Sequence, residues 1–250
     1  MAKINRKNIE TLLGYLRNNA NCYFLIGGHA AALHFEKIGL EFRATKDYDI
    51  VLVTGLDNSS FSEEIARFIT EGEYKNKYRN EKKTAYRFED PKSNEFPKIL
   101  EFFVKEGEYP QSLDNRLAKL DIEVNEEKIS AIVLNEEIYE FAMKNVEIID
   151  GLSLVSIDGL VALKSFAYFR NKELFEEGKV KKDDYLKHRR DIVRLLSVTD
   201  NDDIIANLPE LLKQATKDFL PVLENANDIA KEYSIDIKTV VKMYKKKFSL

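Results

Sequence analysis

The chain has 250 residues, 33% charged and 44% hydrophobic, with a formal net charge of −4. That length supports one large domain or two small ones around a sizeable core, and the ordinary composition excludes a fibrous or wholly disordered protein. A single cysteine, Cys22, excludes a disulfide framework within the chain and a Cys-based zinc cluster, and three histidines leave little for a His-rich metal site. No apolar run approaches the roughly 20 residues of a membrane span, and no apolar signal core follows the basic start from Lys3 to Lys7. The sequence therefore reads as cytoplasmic, with no membrane partner. Its mild acidity argues against a surface that coats nucleic acid as a whole and leaves room for local basic patches.

In chain order, Ile9, Leu12, Leu13 and Leu16 give residues 7–20 a helical spacing. Cys22 to Ile26 is a short apolar run ending at Gly27 and Gly28, which predicts a buried strand. A helix is expected from His29 to Lys37, a second strand from Tyr48 to Val53, and a helix from Phe61 to Glu71. Residues 72–96 are polar and mixed, with Lys82, Lys83 and Pro91 marking loops. Tyr86-Arg87-Phe88 and Ile99 to Val104 read as strands, and short strands are expected near Leu120–Val124 and Ile148–Leu154. From Ser156, a predicted N-cap, the pattern is helical to about Phe169. A charged connection from Lys172 to Asp183 leads to a helix over Asp184–Leu196. Asn201–Leu211 and Pro221–Tyr244 supply further helices, with Pro209 and Pro221 as breaks. The reading is an α+β chain: a mixed-sheet part over residues 1–155, then a helical part over residues 156–250.

The sharpest local feature is the pair Asp47 and Asp49, which opens an otherwise apolar strand. Residues two apart on a strand share a face, roughly 6–7 Å apart. Two carboxylates so placed repel unless a cation lies between them, and oxygen ligands are what Mg²⁺ takes, alongside substrate phosphates. The alternative is a strand end with two solvated aspartates. About twenty residues earlier, Gly27 and Gly28 stand where a strand hands over to a helix. Paired glycines admit a phosphate close to the backbone, and a helix N-terminus favours its charge, although glycines also make plain turns. Neither G-x-G-x-x-G nor a Walker lysine motif accompanies them, which disfavours Rossmann and P-loop readings.

Together, a Gly-Gly strand-to-helix turn followed by Asp-x-Asp resembles the DNA polymerase β-like nucleotidyltransferase superfamily. The run Arg43-x-Thr45-Lys46-Asp47-x-Asp49 resembles, more narrowly, the AbiE-type abortive-infection nucleotidyltransferases and MenT-like toxins. Leu160 to Ala167 with Lys164, then Arg170, then Lys187-His188-Arg189-Arg190-Asp191-Ile192, extends the likeness to residues 26–192. His29 and His188 depart from the usual pattern. The resemblance implies a polymerase β-like mixed sheet with helices and transfer of a nucleotide from an NTP with loss of pyrophosphate. It implies Mg²⁺ on Asp47 and Asp49, a triphosphate cradled by Gly27 and Gly28 with Arg43, Thr45 and Lys46, phosphate neutralisation by Lys164, and Asp191 fixing that lysine or the substrate. It also implies a toxin of a toxin–antitoxin or phage-defence system, with a cognate antitoxin protein as partner.

Several residues support more than one reading. Lys164 lies inside an apolar stripe made by Leu160, Val161, Leu163, Ala167 and Tyr168. Either it snorkels at the stripe's edge or a partner meets it. If it is a pure phosphate contact, Lys164→Ala is expected to cost little stability. Asp191 is equally explained by a surface pair with Lys187. Glu101, a lone charge in an apolar strand, is the choice for a third metal-binding carboxylate, with Asp121 and Glu123 as rivals; an edge glutamate facing water is the alternative. Basic clusters at Lys179–Lys182, Lys187–Arg190 and Lys242–Lys247 are compatible with an RNA acceptor such as tRNA, with a protein acceptor also open, and the same clusters can equally be solvated faces. Ile229 to Val240 resembles a helix-turn-helix. It leaves open a non-catalytic nucleotide- or DNA-binding regulator, although a closing helical hairpin accounts for the same segment.

Overall fold

The structure, a computed structural model, describes residues 5–53, 59–79, 82–111, 116–199 and 203–250, with side chains left aside at 77–79 and 82–85. The chain divides into two compact units. The first runs to Tyr139 and takes in Val146–Val155; the second comprises Glu140–Asn145 and Ser156–Leu250.

The first unit opens with α1 (Arg6–Leu16), whose start is capped by Asn5: its side chain accepts a hydrogen bond from the Lys7 amide at 3.2 Å. The helix buries Ile9, Leu12, Leu13 and Leu16, the stripe read from the spacing. There follow β1 (Tyr23–Ile26), α2 (Gly27–Lys37), β2 (Asp47–Leu52), α3 (Ser59–Glu71), β3 (Lys75–Arg79), β4 (Lys82–Glu89) and β5 (Ile99–Lys105). The hairpin β6 (Leu117–Val124) and β7 (Glu127–Leu134) leads into α4 (Glu136–Lys144), and the unit closes with β8 (Val146–Ile149) and β9 (Leu152–Val155).

Among the described residues the strands form one nine-stranded mixed sheet in the order β3-β4-β5-β2-β1-β9-β8, with β7 also on β5 and β6 on β7. Strand β2 lies antiparallel to β1 and parallel to β5. The other edge of β5 is shared: Ile99–Glu101 pair with β4, and Phe103–Lys105 with β7. The buried residues of β1, β2 and β5 include Phe24, Leu25, Ile50, Val51, Leu100, Phe102 and Val104, so β2 is an inner strand with apolar flanks.

Several expected boundaries shift for local reasons. The strand expected at Leu120–Val124 is one arm of a hairpin whose turn, Asn125-Glu126, has φ of +52° and +64°. Consecutive left-handed residues of this kind twist a two-residue turn to match its strands. Ile148–Leu154 is likewise a hairpin, β8–β9, broken at Asp150-Gly151 with φ of +51° and +83°. Helix α4 was not expected from the sequence; Asn135 caps it, accepting from the Glu137 amide at 3.0 Å. Residues 72–96, read as polar and mixed with Lys82, Lys83 and Pro91 marking loops, carry β3 and the whole of β4, so Lys82 and Lys83 open a strand.

The second unit is helical: α5 (Ile157–Glu176), α6 (Lys182–Ser197), α7 (Glu210–Glu224), α8 (Asn227–Glu232) and α9 (Ile237–Phe248). Ser156 caps α5 as expected, accepting from the Gly159 amide at 3.3 Å. The helix continues to Glu176, past the expected end at Phe169, so the charged connection shortens to 177–181. The expected helix at Asn201–Leu211 is absent among its described residues up to Pro209. There α7 begins, because proline fits a helix start, where its missing amide costs nothing. Pro221 does not break α7 but sits in its last turn. The expected helix over Pro221–Tyr244 is interrupted after α8 by Ser234 at φ +55°, and α9 restarts at Asp236, whose carboxylate accepts from the Lys238 and Thr239 amides.

Candidate active site

Strand β1 becomes α2 at Gly27. The register sets Ile26 opposite Asp49, so Gly27 falls beside the Asp49 side chain. Gly27 has φ +73°, and an ideal β-carbon there would lie 1.9 Å from Asp49 Oδ2. One on Gly28 would lie 2.5 Å from Thr45 Oγ1. The space that paired glycines leave is therefore filled by the chain's own carboxylate and hydroxyl. An anion is well placed there, because unpaired amides and the positive end of the helix dipole converge at a helix start. The sequence motif gives these glycines a triphosphate to cradle; in this structure the cradle holds Asp49.

Along β2, Tyr48 and Ile50 are buried while Asp47 and Asp49 on the other face are half-exposed. The sheet register then extends the acidic face. Asp49 pairs with Glu101 across the β2–β5 ladder, and Glu101 pairs with Arg87 across β4–β5. Arg87 ties the group together. Its Nη2 donates to Asp47 Oδ1 at 3.1 Å, its Nη1 to Glu101 Oε1 at 2.5 Å and its Nε to Glu89 Oε2 at 3.4 Å. Partial burial acts to lower the Arg87 pKa, but the bond and charge of Glu101, with Asp47 and Glu89, outweigh it and raise it. Glu101 thus stands in the acidic row, neither alone nor turned to water. Arg87 is the residue that sequence reasoning missed; its signal is a charge between Tyr86 and Phe88 in an alternating strand. The rivals lie elsewhere: Asp121 is on the β6–β7 hairpin, 79% exposed and bonded to Lys128 at 2.6 Å, and Glu123 faces Lys128 in the same hairpin.

His29 serves this strand from behind. Its ring stacks on Tyr48 with centroids 3.5 Å apart, and Nδ1 lies 2.9 Å from the Asp47 carbonyl oxygen. A carbonyl only accepts, so Nδ1 carries the proton. Burial drives the His29 pKa down to about 4, against the opposing pull of Asp47. The ring is neutral at pH 7 and anchors the start of β2.

Arg43, Thr45 and Lys46 meet in one cleft of about 520 Å³, whose lining also includes His29, Tyr48, Phe96 and Lys98. That volume is within the range of small-molecule sites. Its charged lining is Arg43, Lys46 and Lys98 against Asp90, a positive balance. Gly27, Gly28, Asp47 and Asp49 are not among its lining residues. The residues expected to hold one triphosphate are thus divided between the glycine turn with its carboxylate row and this cleft, and Thr45 lines the cleft while lying against Gly28.

In the second unit, Lys164 and Asp191 form an ion pair at 2.8 Å with side chains only 5% and 1% exposed. Around Lys164 on α5, Leu160, Val161, Ala162, Ser165 and Tyr168 are buried. The lysine therefore does not snorkel, and Asp191 is not a surface partner of Lys187, which lies 3.8 Å from Asp184. The basic clusters are partly neutralised where they stand. Lys179 pairs with Glu177, Arg190 with Asp183 and Arg189 with Asp228. In the helix-turn-helix-like segment, Lys245 pairs with Glu224, and Lys247 is wholly buried with Nζ 2.9 Å from Asp158 Oδ2. Lys247 is thus a packing residue of α9 and is not presented to a nucleic-acid backbone.

The donor set on the first unit's acidic face is all oxygen and anionic, which suits a hard divalent cation. As arranged, it suits a guanidinium. Among the described residues, no group of three or more His, Cys, Asp or Glu side chains is gathered as a metal site. Asp47 and Glu101 do converge, but on Arg87.

No family model matches the chain, and no curated protein matches it. Among solved structures, it is similar to a proposed nucleotidyltransferase from H. pylori, at 14% identity over 100% of this chain and 95% of that one, with a TM-score of 0.41. It is also similar to JHP933 from Helicobacter pylori, at 10% identity over 99% and 92% of the chains, with a TM-score of 0.42. No helix among the described residues is long and apolar enough to cross a membrane.

Proposed function

We propose that this protein is a nucleotidyltransferase that moves a nucleotide from an NTP to an acceptor, RNA such as tRNA or a protein, with release of pyrophosphate. The observation that carries the reading is the acidic row itself. Asp47, Asp49 and Glu101 share one face of adjacent strands, beside a glycine turn that opens a helix.

On this reading Asp47 and Glu101 supply anionic oxygens for Mg²⁺, and Asp49 joins them from its seat at the start of α2. Bound Mg²⁺ would stabilise charge on the attacking and leaving oxygens. The chain's own part is positioning. The α2 N-terminus offers amides to an anion, and Arg43, Lys46 and Lys98 bring positive charge to a cleft of nucleotide size. His29 holds the first residue of β2 in place through its backbone, which fixes where the Asp47 carboxylate starts. The phosphate-neutralising role of Lys164 rests on its motif; within the second unit its ammonium is bonded to Asp191. The role as toxin of a toxin–antitoxin or phage-defence pair, with a cognate antitoxin, rests on the Arg43-to-Asp49 motif.

The test is incubation with each labelled NTP, Mg²⁺ and total cell RNA, in parallel with an Asp47→Asn, Asp49→Asn double variant shown to be folded by circular dichroism. Label transferred by the parent and not by the double variant is expected. Equal transfer by both, or transfer by neither with any NTP and with RNA or protein acceptors, sinks the reading.

A further inference from the structure

Arg87 occupies the point on which two of the proposed metal ligands converge. Its two terminal nitrogens bond Asp47 and Glu101, and its third donor reaches Glu89. No other arginine or lysine is seen to bridge Asp47 and Glu101 among the described residues. The group is open to exchange with solvent: the side chains of Arg87, Asp47, Glu89 and Glu101 are 23%, 37%, 30% and 17% exposed. The arginine stem comes from β4, across Glu101 from β2, so the guanidinium can withdraw without moving either carboxylate-bearing strand.

We propose that Arg87 is a resident counter-ion that keeps the acidic row assembled while no metal is bound. A divalent cation displaces it, and the freed guanidinium then turns to the triphosphate that arrives with the metal. The inference rests on the nucleotidyltransferase reading and adds a positioning residue to it.

The physical argument is charge and geometry. Asp47, Glu89 and Glu101 place three carboxylates around a single positive charge, so the cluster stays net negative with Arg87 in place. A divalent ion neutralises more of that charge at shorter range, because Mg²⁺ takes oxygen at roughly 2.0–2.1 Å whereas a charge-assisted hydrogen bond holds it at roughly 2.7–2.9 Å. The guanidinium cannot lose its proton to make way, so displacement must be a swing of the side chain. Once free, its planar fork suits two oxygens of a phosphate. Arg87 therefore opposes metal binding and favours NTP binding, a pair of opposite effects that a purely structural arginine does not produce.

The experiment titrates Mn²⁺, read by its electron paramagnetic resonance signal, into the parent, Arg87→Gln and the Asp47→Asn, Asp49→Asn double variant. It then titrates ATP and GTP into each at saturating Mn²⁺. Arg87→Gln is expected to bind Mn²⁺ about tenfold more tightly than the parent, since a positive charge has left the site, and to bind NTP about tenfold more weakly. Unchanged or weaker Mn²⁺ binding by folded Arg87→Gln overturns the proposal while leaving the metal site intact. Mn²⁺ binding that persists in the double variant, or is absent from parent and Arg87→Gln alike, overturns the metal reading itself, and this proposal with it. Should Arg87→Gln not fold, the parent's Arg87 Nε–Hε proton is followed by NMR as Mg²⁺ is added. Its signal is assigned from its absence in Arg87→Lys. A large shift or loss of protection is expected; an unmoved signal at Mg²⁺ saturation overturns the proposal.

Discussion

The Asp49 carboxylate stands where a side chain on residue 27 would begin: an ideal β-carbon at Gly27 would be 1.9 Å from Asp49 Oδ2. Gly27 is held to glycine twice, by this contact and by its φ of +73°. Gly27→Ala is therefore expected to cost about 3 kcal/mol or more, from backbone strain plus the displacement of a half-buried carboxylate. Gly28→Ala should cost less, because its nearest neighbour is the Thr45 hydroxyl, at 2.5 Å. Chemical denaturation of both variants checks the order. Adding Thr45→Ala should recover part of the Gly28→Ala loss, whereas Asp49→Ala should recover only the steric part at position 27, since the strained φ remains.

Burial changes what Lys164 is expected to do. A phosphate-only lysine could be removed cheaply, but this one is 4% exposed and bonded to Asp191, itself 1% exposed. Truncating one member of a buried ion pair strands the other charge and costs about 3–5 kcal/mol. Lys164→Ala is therefore expected to be severely destabilised, contrary to the expectation drawn from the motif alone. Lys164→Met with Asp191→Leu, which removes both charges, should be within about 1 kcal/mol of the parent or above it. Urea unfolding of Lys164→Met, Asp191→Leu and their combination closes the cycle, with Lys164→Ala measured beside them. A Lys164→Ala loss below about 1 kcal/mol would show that water reaches the pair.

Much of the acidic row was legible in the sequence because strand alternation fixes which residues share a face. Asp47 and Asp49 are two apart, and Glu101 is a charge set among apolar neighbours. Arg87 was not legible, because its place in the row depends on the β4–β5 register, and register is a property of strand pairing. The same limit hid the division between Gly27 and Gly28 on one side and the Arg43–Lys46 cleft on the other. In the helical unit, the Ser156 cap could be read from one residue type. The interruption before α9 follows from Ser234 in a left-handed conformation, which serine adopts only where the fold demands it. The hairpin turn at Asp150-Gly151 carries turn residues, but the apolar run on either side of it has the pattern of one continuous strand.

The Asn125-Glu126 turn offers a stabilising substitution. Both residues have positive φ, at +52° and +64°, and a glutamate has no local side-chain compensation for that region. Glu126→Gly matches the Asn-Gly pair that such turns favour and should raise stability by about 0.5–1 kcal/mol, net of glycine's greater freedom in the unfolded chain. A rise in thermal midpoint with an unchanged denaturant slope is the expected result. A fall would mean that Glu126 contributes more through its side chain than its backbone costs.

His29 makes the stability of the first unit depend on pH. Burial lowers its pKa to about 4, while the unfolded chain titrates near the ordinary histidine value of about 6.5. The sign follows from linkage. Above pH 6.5 the ring is neutral in both states, and its contribution is fully present. As pH falls below 6.5 the unfolded chain takes up a proton that the folded one does not, so stability declines with acidification until pH 4, where both are protonated. The full span is on the order of 3 kcal/mol. His34, buried with Nε2 at 2.8 Å from the Val155 carbonyl, is lowered for the same reason and adds to the slope in the same direction. His29→Gln removes the titrating ring while keeping a side-chain donor for the Asp47 carbonyl. It should lower stability at pH 7.5, through lost stacking on Tyr48, and flatten the decline between pH 6.5 and pH 4. Unfolding free energies measured across that window in parent and variant check this. Parallel curves would place the pH dependence on His34 and the carboxylates, and would mean that the His29 ring takes its proton inside the fold.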